Sequence, residues 1–295
     1  GYLERKLTVA EDKILSCCEK LGVTPNILFT GVFGILMSRY SNSDDSLFST
    51  IYNGRNDSRL ENTVCMLVKT LPVYCKFEAK TTIQAYMTEL SEQLLSSMAN
   101  DIFPFSDICA KYGFNSDLTF AYQAELSDDY QIGDTVARGH DLSLDMTKMP
   151  RLIQVREYNN EYGLTAEFRS DRYSDAFVAG MLEAYEAAMD SMLKNKYVSE
   201  VSILSENAVK KIAEFNDTAC EYDRTKTISD RFAEMVQTIP DHTAVVFKDK
   251  KYTYKELDEI SDRLGKYIAS RGIGTEVVVS ILIPRCEYMA IAPLG

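Results

Sequence analysis

One stretch divides this sequence and limits what it can fold into. Residues 204–226 begin Leu204-Ser-Glu-Asn, read as a short helix, stop at Phe215-Asn216-Asp217-Thr218, and continue as a polar extended piece. The Ser205 hydroxyl can cap the helix, and Glu206 sits in the first turn, where the helix dipole favours an anion. Val209, Ile212 and Phe215 recur at three-residue steps, so the helix is expected to lie against something. The patterns before it read as the end of one domain and those after it as the start of another. That gives three segments: 1–203, a connector at 204–226, and 227–295.

The 295 residues suffice for one large domain or two ordinary ones. With 45% apolar and 26% charged residues the composition is globular. A formal charge of −12 and the absence of a Lys/Arg cluster argue against a nucleic-acid partner. The seven cysteines form no Cys-x-x-Cys, and no His stands at ligand spacing from them. Neither a zinc site nor a secreted disulfide framework is expected, and incidental thiols in a reducing cytoplasm account for them. No apolar run reaches the ~18 residues of a membrane span, and no signal peptide opens the chain. The first residue is Gly and the last five are Ile291-Ala-Pro-Leu-Gly295, in mid-pattern, as expected of a piece of a longer polypeptide.

In order, Thr8-Val-Ala-Glu11 reads as a capping box opening a helix that Gly22 ends. Thr24-Pro25 starts a second helix, apolar nearly all round from Ile27 to Met37 and therefore buried. Leu47–Tyr52 reads as a strand, and Val64–Val73, apolar on both faces, as a central strand ended or disturbed by Pro72. Ile83, Tyr86, Met87, Leu90, Leu94, Leu95 and Met98 keep helical spacing, and Pro104-Phe105-Ser106 opens a short helix to Tyr112. Asp117–Gln123, Asp141–Met146, Leu152–Tyr158 and Tyr162–Arg169 read as strands, the last two joined by a turn at Asn159-Asn160-Glu161. Asp175–Leu193 is the clearest helix. After the connector come a helix from Thr227 to Val236 and a hairpin around Lys248-Asp249-Lys250. A capping box at Thr253-Tyr-Lys-Glu256 opens a helix to Ser270, and Val277–Ile283 reads as a strand buried in a parallel sheet. The pattern alone reaches only an acidic α/β protein.

Particular segments carry a resemblance to nonribosomal peptide synthetases. The connector is similar to the one between their condensation and adenylation domains. Gly54-Arg55 followed by Val64-Cys-Met-Leu-Val-Lys-Thr-Leu-Pro-Val73 resembles the family's Gly-Arg … Val-Gly-x-Phe-Val-Asn-Thr-Leu-Pro, departing at Cys65, Leu67 and Lys69. Asn100–Phe105 resembles His-Gln-Asp-Tyr-Pro-Phe at Pro104-Phe105. Asp141-Leu-Ser-Leu144 and Arg169-Ser-Asp-Arg-Tyr-Ser174 resemble two further segments of the same lobe. Tyr252-Thr-Tyr-Lys-Glu-Leu257 fits the first adenylation core motif, Leu-Thr-Tyr-x-Glu-Leu.

The resemblance implies an α/β fold in two pieces. The first is the C-terminal lobe of a condensation domain, a mixed sheet flanked by helices as in chloramphenicol acetyltransferase. The second is an incomplete βαβ start of an adenylate-forming domain. It implies a parent that condenses carrier-bound thioesters into an amide and activates an amino acid with ATP and Mg. The partners implied are carrier protein domains bearing phosphopantetheine and the rest of the synthetase in cis, with no nucleic acid and no membrane. Gly54, Arg55, Lys69 and Thr70 would line the phosphopantetheine tunnel, with Lys69 facing a phosphate or simply snorkelling to solvent. Thr253, Tyr254, Glu256 and Leu257 would be structural. No His-His-x-x-x-Asp-Gly and no Gly-rich loop with Lys occurs, so no catalytic residue is expected and the chain alone is expected to be inactive. A core or rim His accounts for His140 beside Asp141, a polar turn for His242, and solvated loops for the acid pairs Asp44-Asp45 and Asp128-Asp129. Two alternatives stand: a degenerate platform that only binds a carrier protein or tailoring enzyme, and a related acyltransferase for epimerisation or starter acylation.

Overall fold

The computed structural model describes all residues except 56, 61, 79, 115–116, 125–128, 139–146, 148, 159–160 and 275. His140-Asp141, the expected strand at 141–146, Asp128 and the Asn159-Asn160 turn lie outside the described residues. The chain separates into two units, Gly1–Asp217 and Thr218–Gly295.

Unit 1 contains β1 (Tyr2–Lys6), α1 (Glu11–Leu21), α2 (Pro25–Ser41), β2 (Asp45–Tyr52), β3 (Lys69–Lys76), α3 (Ile83–Ala99) and α4 (Phe105–Tyr112). It continues with β4 (Thr119–Gln123), β5 (Asp129–Ile132), β6 (Thr135–Arg138), β7 (Arg151–Tyr158), β8 (Glu161–Phe168), α5 (Asp175–Met192) and α6 (Glu206–Asn216). Six strands form one sheet in the order β1-β8-β7-β4-β2-β3, while β5 and β6 make a separate hairpin. The β2–β4 and β4–β7 pairs are parallel and the remaining pairs antiparallel.

The core is organised around α2. Its residues alternate in no polar pattern, and Ile27 to Leu36 are buried without exception. Phe33 stacks on Phe120 of β4, with centroids 4.6 Å apart, and meets Phe48 of β2 edge-on at 5.0 Å. The other helices hold α2 by its backbone: the Tyr86 hydroxyl donates to the Gly31 carbonyl and the Tyr185 hydroxyl to that of Phe29, each at 2.9 Å. Thr24 caps α2 by accepting from the Ile27 amide, and Pro25 opens it, as its sequence indicates.

Several expectations are corrected. Thr8 does not cap α1; Ala10 holds the cap position with no side-chain bond. The Thr8 amide and hydroxyl donate instead to Glu186 of α5, at 2.8 and 2.5 Å, because that buried carboxylate needs donors more than the exposed helix start does. Val64–Val73 is not a central strand. Pairing begins at Lys69, and β3 is the sheet edge, where Pro72 and its missing N–H are tolerated. Leu95 of α3 is exposed, as are Val209, Ile212 and Phe215 of α6.

Glu186 carries a stability consequence. Burial would raise its pKa, but the Thr8 hydroxyl and amide and the Arg5 guanidinium outweigh burial and hold the carboxyl below its usual range. A depressed folded-state pKa contributes stability above the unfolded carboxylate pKa, and that contribution is lost as pH falls through the folded value. Glu186→Gln is expected to cost about 2 kcal/mol at pH 7, the worth of hydrogen bonds to a buried charge. The gap from wild type should begin to narrow as pH falls below the ordinary Glu value of about 4.3. Urea melts at pH 7 and pH 3.5 check this, and an equal gap at both would overturn it.

Unit 2 contains α7 (Ile228–Thr238), the antiparallel hairpin β9 (Thr243–Phe247) and β10 (Lys250–Thr253), α8 (Tyr254–Ser270) and α9 (Tyr288–Leu294). Val277–Ile283 is not a strand. It pairs with no described strand and stays exposed, Val278 at 91% and Leu282 at 98%. A parallel strand needs flanking strands for its backbone groups, and this unit's hairpin does not offer them.

No single described helix is long and apolar enough to cross a membrane.

Candidate functional site

The four tunnel-lining candidates come together where β2 hands over to β3. In the hairpin register Tyr52 lies opposite Lys69 and Ile51 opposite Thr70. Gly54 follows directly, with φ +69°, and a Cβ there would stand 2.1 Å from the Leu67 carbonyl oxygen. Only glycine combines that backbone angle with that approach. Arg55 then folds the loop onto itself. Its guanidinium donates to the carbonyls of Leu60, Thr63 and Cys65 at 2.5, 3.0 and 3.2 Å. Arg55 is therefore a loop organiser, with three of its five N–H donors engaged by loop carbonyls.

Gly54→Ala is expected to loosen residues 55–67, because left-handed backbone costs a non-glycine residue about 1–2 kcal/mol before the carbonyl clash is counted. Faster tryptic cleavage at Arg55 and Arg59, with the overall melting temperature nearly unchanged, is the expected result. Unaltered cleavage would show that the loop absorbs the Cβ.

Lys69 neither snorkels freely nor stands alone. Its ammonium binds the Asp101 carboxylate and the Asp101 carbonyl, both at 2.9 Å. Near them is the Tyr52 hydroxyl, buried and without a hydrogen-bond partner among the described residues. Burial pushes the Tyr52 phenol up, the Asp101 charge adds to this, and Lys69 opposes it. Sequence reasoning missed Tyr52 and Asp101. Tyr52 read only as the last residue of a strand, and Asp101 fell in the Asn100–Phe105 segment, matched only at Pro104-Phe105. Their signal is pairing: a Lys on a strand end requires an acid near it when half-covered.

The patch can grip an anion or orient a carbonyl. It contains no described His. No group of His, Cys, Asp or Glu among the described residues could hold a metal. Val64, Met66 and Val68 of the loop, with Ile102 and Phe103 beyond Asp101, are exposed apolar side chains.

In unit 2, Thr253 and Glu256 form a reciprocal cap. The Thr253 hydroxyl accepts from the Glu256 amide at 3.2 Å, and the Glu256 carboxylate accepts from the Thr253 amide at 2.8 Å. Tyr254 sets its ring 6.1 Å from that of Phe232, and Leu257 is buried. These four residues hold the start of α8.

The sequence profile of the condensation-domain family matches residues 5–213, more than two thirds of the chain. The chain belongs to that family. The AMP-binding enzyme profile matches residues 232–295, so the condensation domain is followed by the start of an adenylation domain. Gramicidin S synthase 2 of Brevibacillus brevis is 25% identical over 295 residues, covering 96% of this chain and 7% of that protein. Bacitracin synthase 2 of Bacillus licheniformis is 26% identical over 298 residues, covering 97% of this chain and 11% of that protein. The condensation-domain chain thus spans a small part of the curated relatives it matches. Among solved structures, a four-domain nonribosomal peptide synthetase bound to AMP and glycine superposes with a TM-score of 0.69. It is 15% identical and covers 92% of this chain and 23% of that one. The first condensation domain of the CDA synthetase gives a TM-score of 0.57 at 14% identity, over 70% of this chain and 48% of that one. At these identities the structures establish the fold, an α/β lobe of the condensation-domain type.

Proposed function

We propose that this chain forms one wall of an amide-forming condensation site in a nonribosomal peptide synthetase and opens its amino-acid-activating domain. The observation that carries the reading is the order of the two family matches on one chain, 5–213 then 232–295. The substrates of such a site are aminoacyl or peptidyl thioesters on phosphopantetheine arms of carrier domains in the same synthetase. The loop at Gly54–Val68 and the Lys69–Asp101 pair would meet such an arm, Lys69 by releasing Asp101 for a phosphate and Thr70 by its hydroxyl.

ATP and Mg belong to the parent's activation step, and the residues present do not fit them. The four glycines of residues 218–295 are Gly265, Gly272, Gly274 and Gly295, and none sits in a Gly-rich loop with Lys. Activation is accordingly assigned to the intact synthetase, not to this chain.

A second reading, a platform that binds carriers without catalysis, is favoured by the engagement of both Arg55 and Lys69 with the protein itself. One experiment separates the two. The intact synthetase, loaded with donor and acceptor thioesters, is expected to yield the condensed product by mass spectrometry. Lys69→Met is expected to weaken carrier engagement. Loading and carrier binding without product would establish the platform. The chain alone is expected to show background ATP–pyrophosphate exchange with every amino acid tried, and exchange above background would sink the proposed division of labour.

A further inference from the structure

We infer that the side-chain amide of Gln93 stands in for a missing neighbouring strand and keeps the β3 edge closed to strand addition by a second copy of this chain. The Gln93 carbonyl oxygen accepts from the Tyr74 amide at 3.1 Å, and its NH2 donates to the Tyr74 carbonyl at 2.7 Å. Both backbone groups of one residue are thus taken by one side chain, the pattern a paired strand would supply.

In an antiparallel ladder the backbone groups of successive residues point alternately toward the partner and away from it. Because Tyr74 turns its groups away from β2, Thr70, Pro72 and Lys76 do so as well, while Leu71, Val73 and Cys75 face β2. Of the outward positions, Pro72 has no N–H to offer and Tyr74 is occupied by Gln93. The middle of the edge therefore presents no free donor, although β3 is eight residues long. An unguarded edge of that length is a template for pairing with another chain. The surrounding side chains would favour it: Leu47 and Tyr74, paired across β2 and β3, are 47% and 45% exposed.

Gln93 achieves this from α3, between the buried Leu90 and Leu94, so its reach is fixed by the helix packing on the sheet. The guard does not depend on any substrate, and it stands whether or not the condensation reading holds.

The whole chain tests the inference. In dilute Gln93→Leu, Tyr74 amide exchange is expected to be about tenfold faster than in wild type, the effect of losing one hydrogen bond. In Gln93→Leu/Pro72→Val, sedimentation equilibrium is expected to give self-association about tenfold or more tighter than wild type, from the backbone bonds regained across the edge. Adding Tyr74→Pro is expected to abolish that gain. Unchanged Tyr74 exchange in Gln93→Leu would overturn the inference, as would association equal to wild type in the double variant. Association that survives Tyr74→Pro would place the contact elsewhere and overturn it too. Gln93 is half-buried, so the single variant folds and its exchange readout stands even if the double variant does not.

Discussion

Phe33→Ala is expected to destabilise unit 1 by about 4 kcal/mol, the typical loss for a phenylalanine removed from a fully packed core. Phe33 is wholly buried and, with Phe29, is one of the two rings through which α2 stacks on the sheet. It stacks on Phe120 at an interplanar angle of 23°, meets Phe48 at 80°, and lies 6.3 Å from Tyr185. Alanine leaves a cavity bounded on three sides by rings that cannot all move in, because Tyr185 is tied to the Phe29 carbonyl. Aromatic pair energies of about 0.5–1.5 kcal/mol beyond area burial are lost as well. For a unit of this size the shift in melting temperature is expected to be about 10 °C. Circular dichroism reads it, since the chain has no Trp. Phe33→Leu should recover roughly half the loss by refilling volume without the ring. A loss below about 1.5 kcal/mol for the alanine variant would mean that the core around α2 collapses freely.

Gly34→Ala is expected to cost about 2 kcal/mol, although alanine is the better helix former by ~1 kcal/mol. A Cβ at Gly34 would stand 2.5 Å from the Tyr86 hydroxyl oxygen and 2.7 Å from the Cys75 sulfur. Neither atom yields easily. The Tyr86 hydroxyl is fixed between the Gly31 carbonyl and Cys75, and Cys75 lies on β3 behind it. Displacing the phenol leaves a buried hydroxyl unsatisfied, which adds about 1–3 kcal/mol to the overpacking. The double-mutant cycle with Tyr86→Phe is the decisive measurement. Without the hydroxyl, Gly34→Ala should cost about 1 kcal/mol less, the Cys75 sulfur still crowding the Cβ, and a coupling energy near zero would show that the crowding is relieved some other way.

The elements a sequence reader could see were those fixed locally. Thr24-Pro25, Ser205 and Thr253-x-x-Glu256 each carry their cap within four residues, and each forms as written. What was not legible depends on distant partners. Thr8-x-x-Glu11 has the same signature as Thr253-x-x-Glu256, yet Thr8 turns to Glu186, which no local pattern encodes. β1 and the β5–β6 hairpin were missed because Tyr2–Lys6 alternates weakly and Asp129–Arg138 is polar. Val64–Val73 looked central because it is apolar on both faces. In the structure its first half is an exposed loop and its second half an edge, a distinction set by strand order and not by composition. At the candidate site, Gly54, Arg55, Lys69 and Thr70 were visible as a motif. Asp101 and Tyr52 were not, since an ion pair across 32 residues and an orphaned phenol exist only after folding.

The uniform apolarity of α2 has a consequence for synthesis. The helix has no face it can show to water, yet one of its anchors, the Tyr185 hydroxyl on the Phe29 carbonyl, lies 156 residues further along the chain. At translation rates of about 5–20 residues per second, that partner leaves the ribosome some 8–30 s after the helix does. During this interval Phe29, Phe33 and Leu36 have only the elements that precede α5 to cover them, Phe120 and Tyr122 of β4 arriving about 90 residues after the helix. Nascent chains halted between residues 100 and 180 are therefore the species on which chaperones would be found.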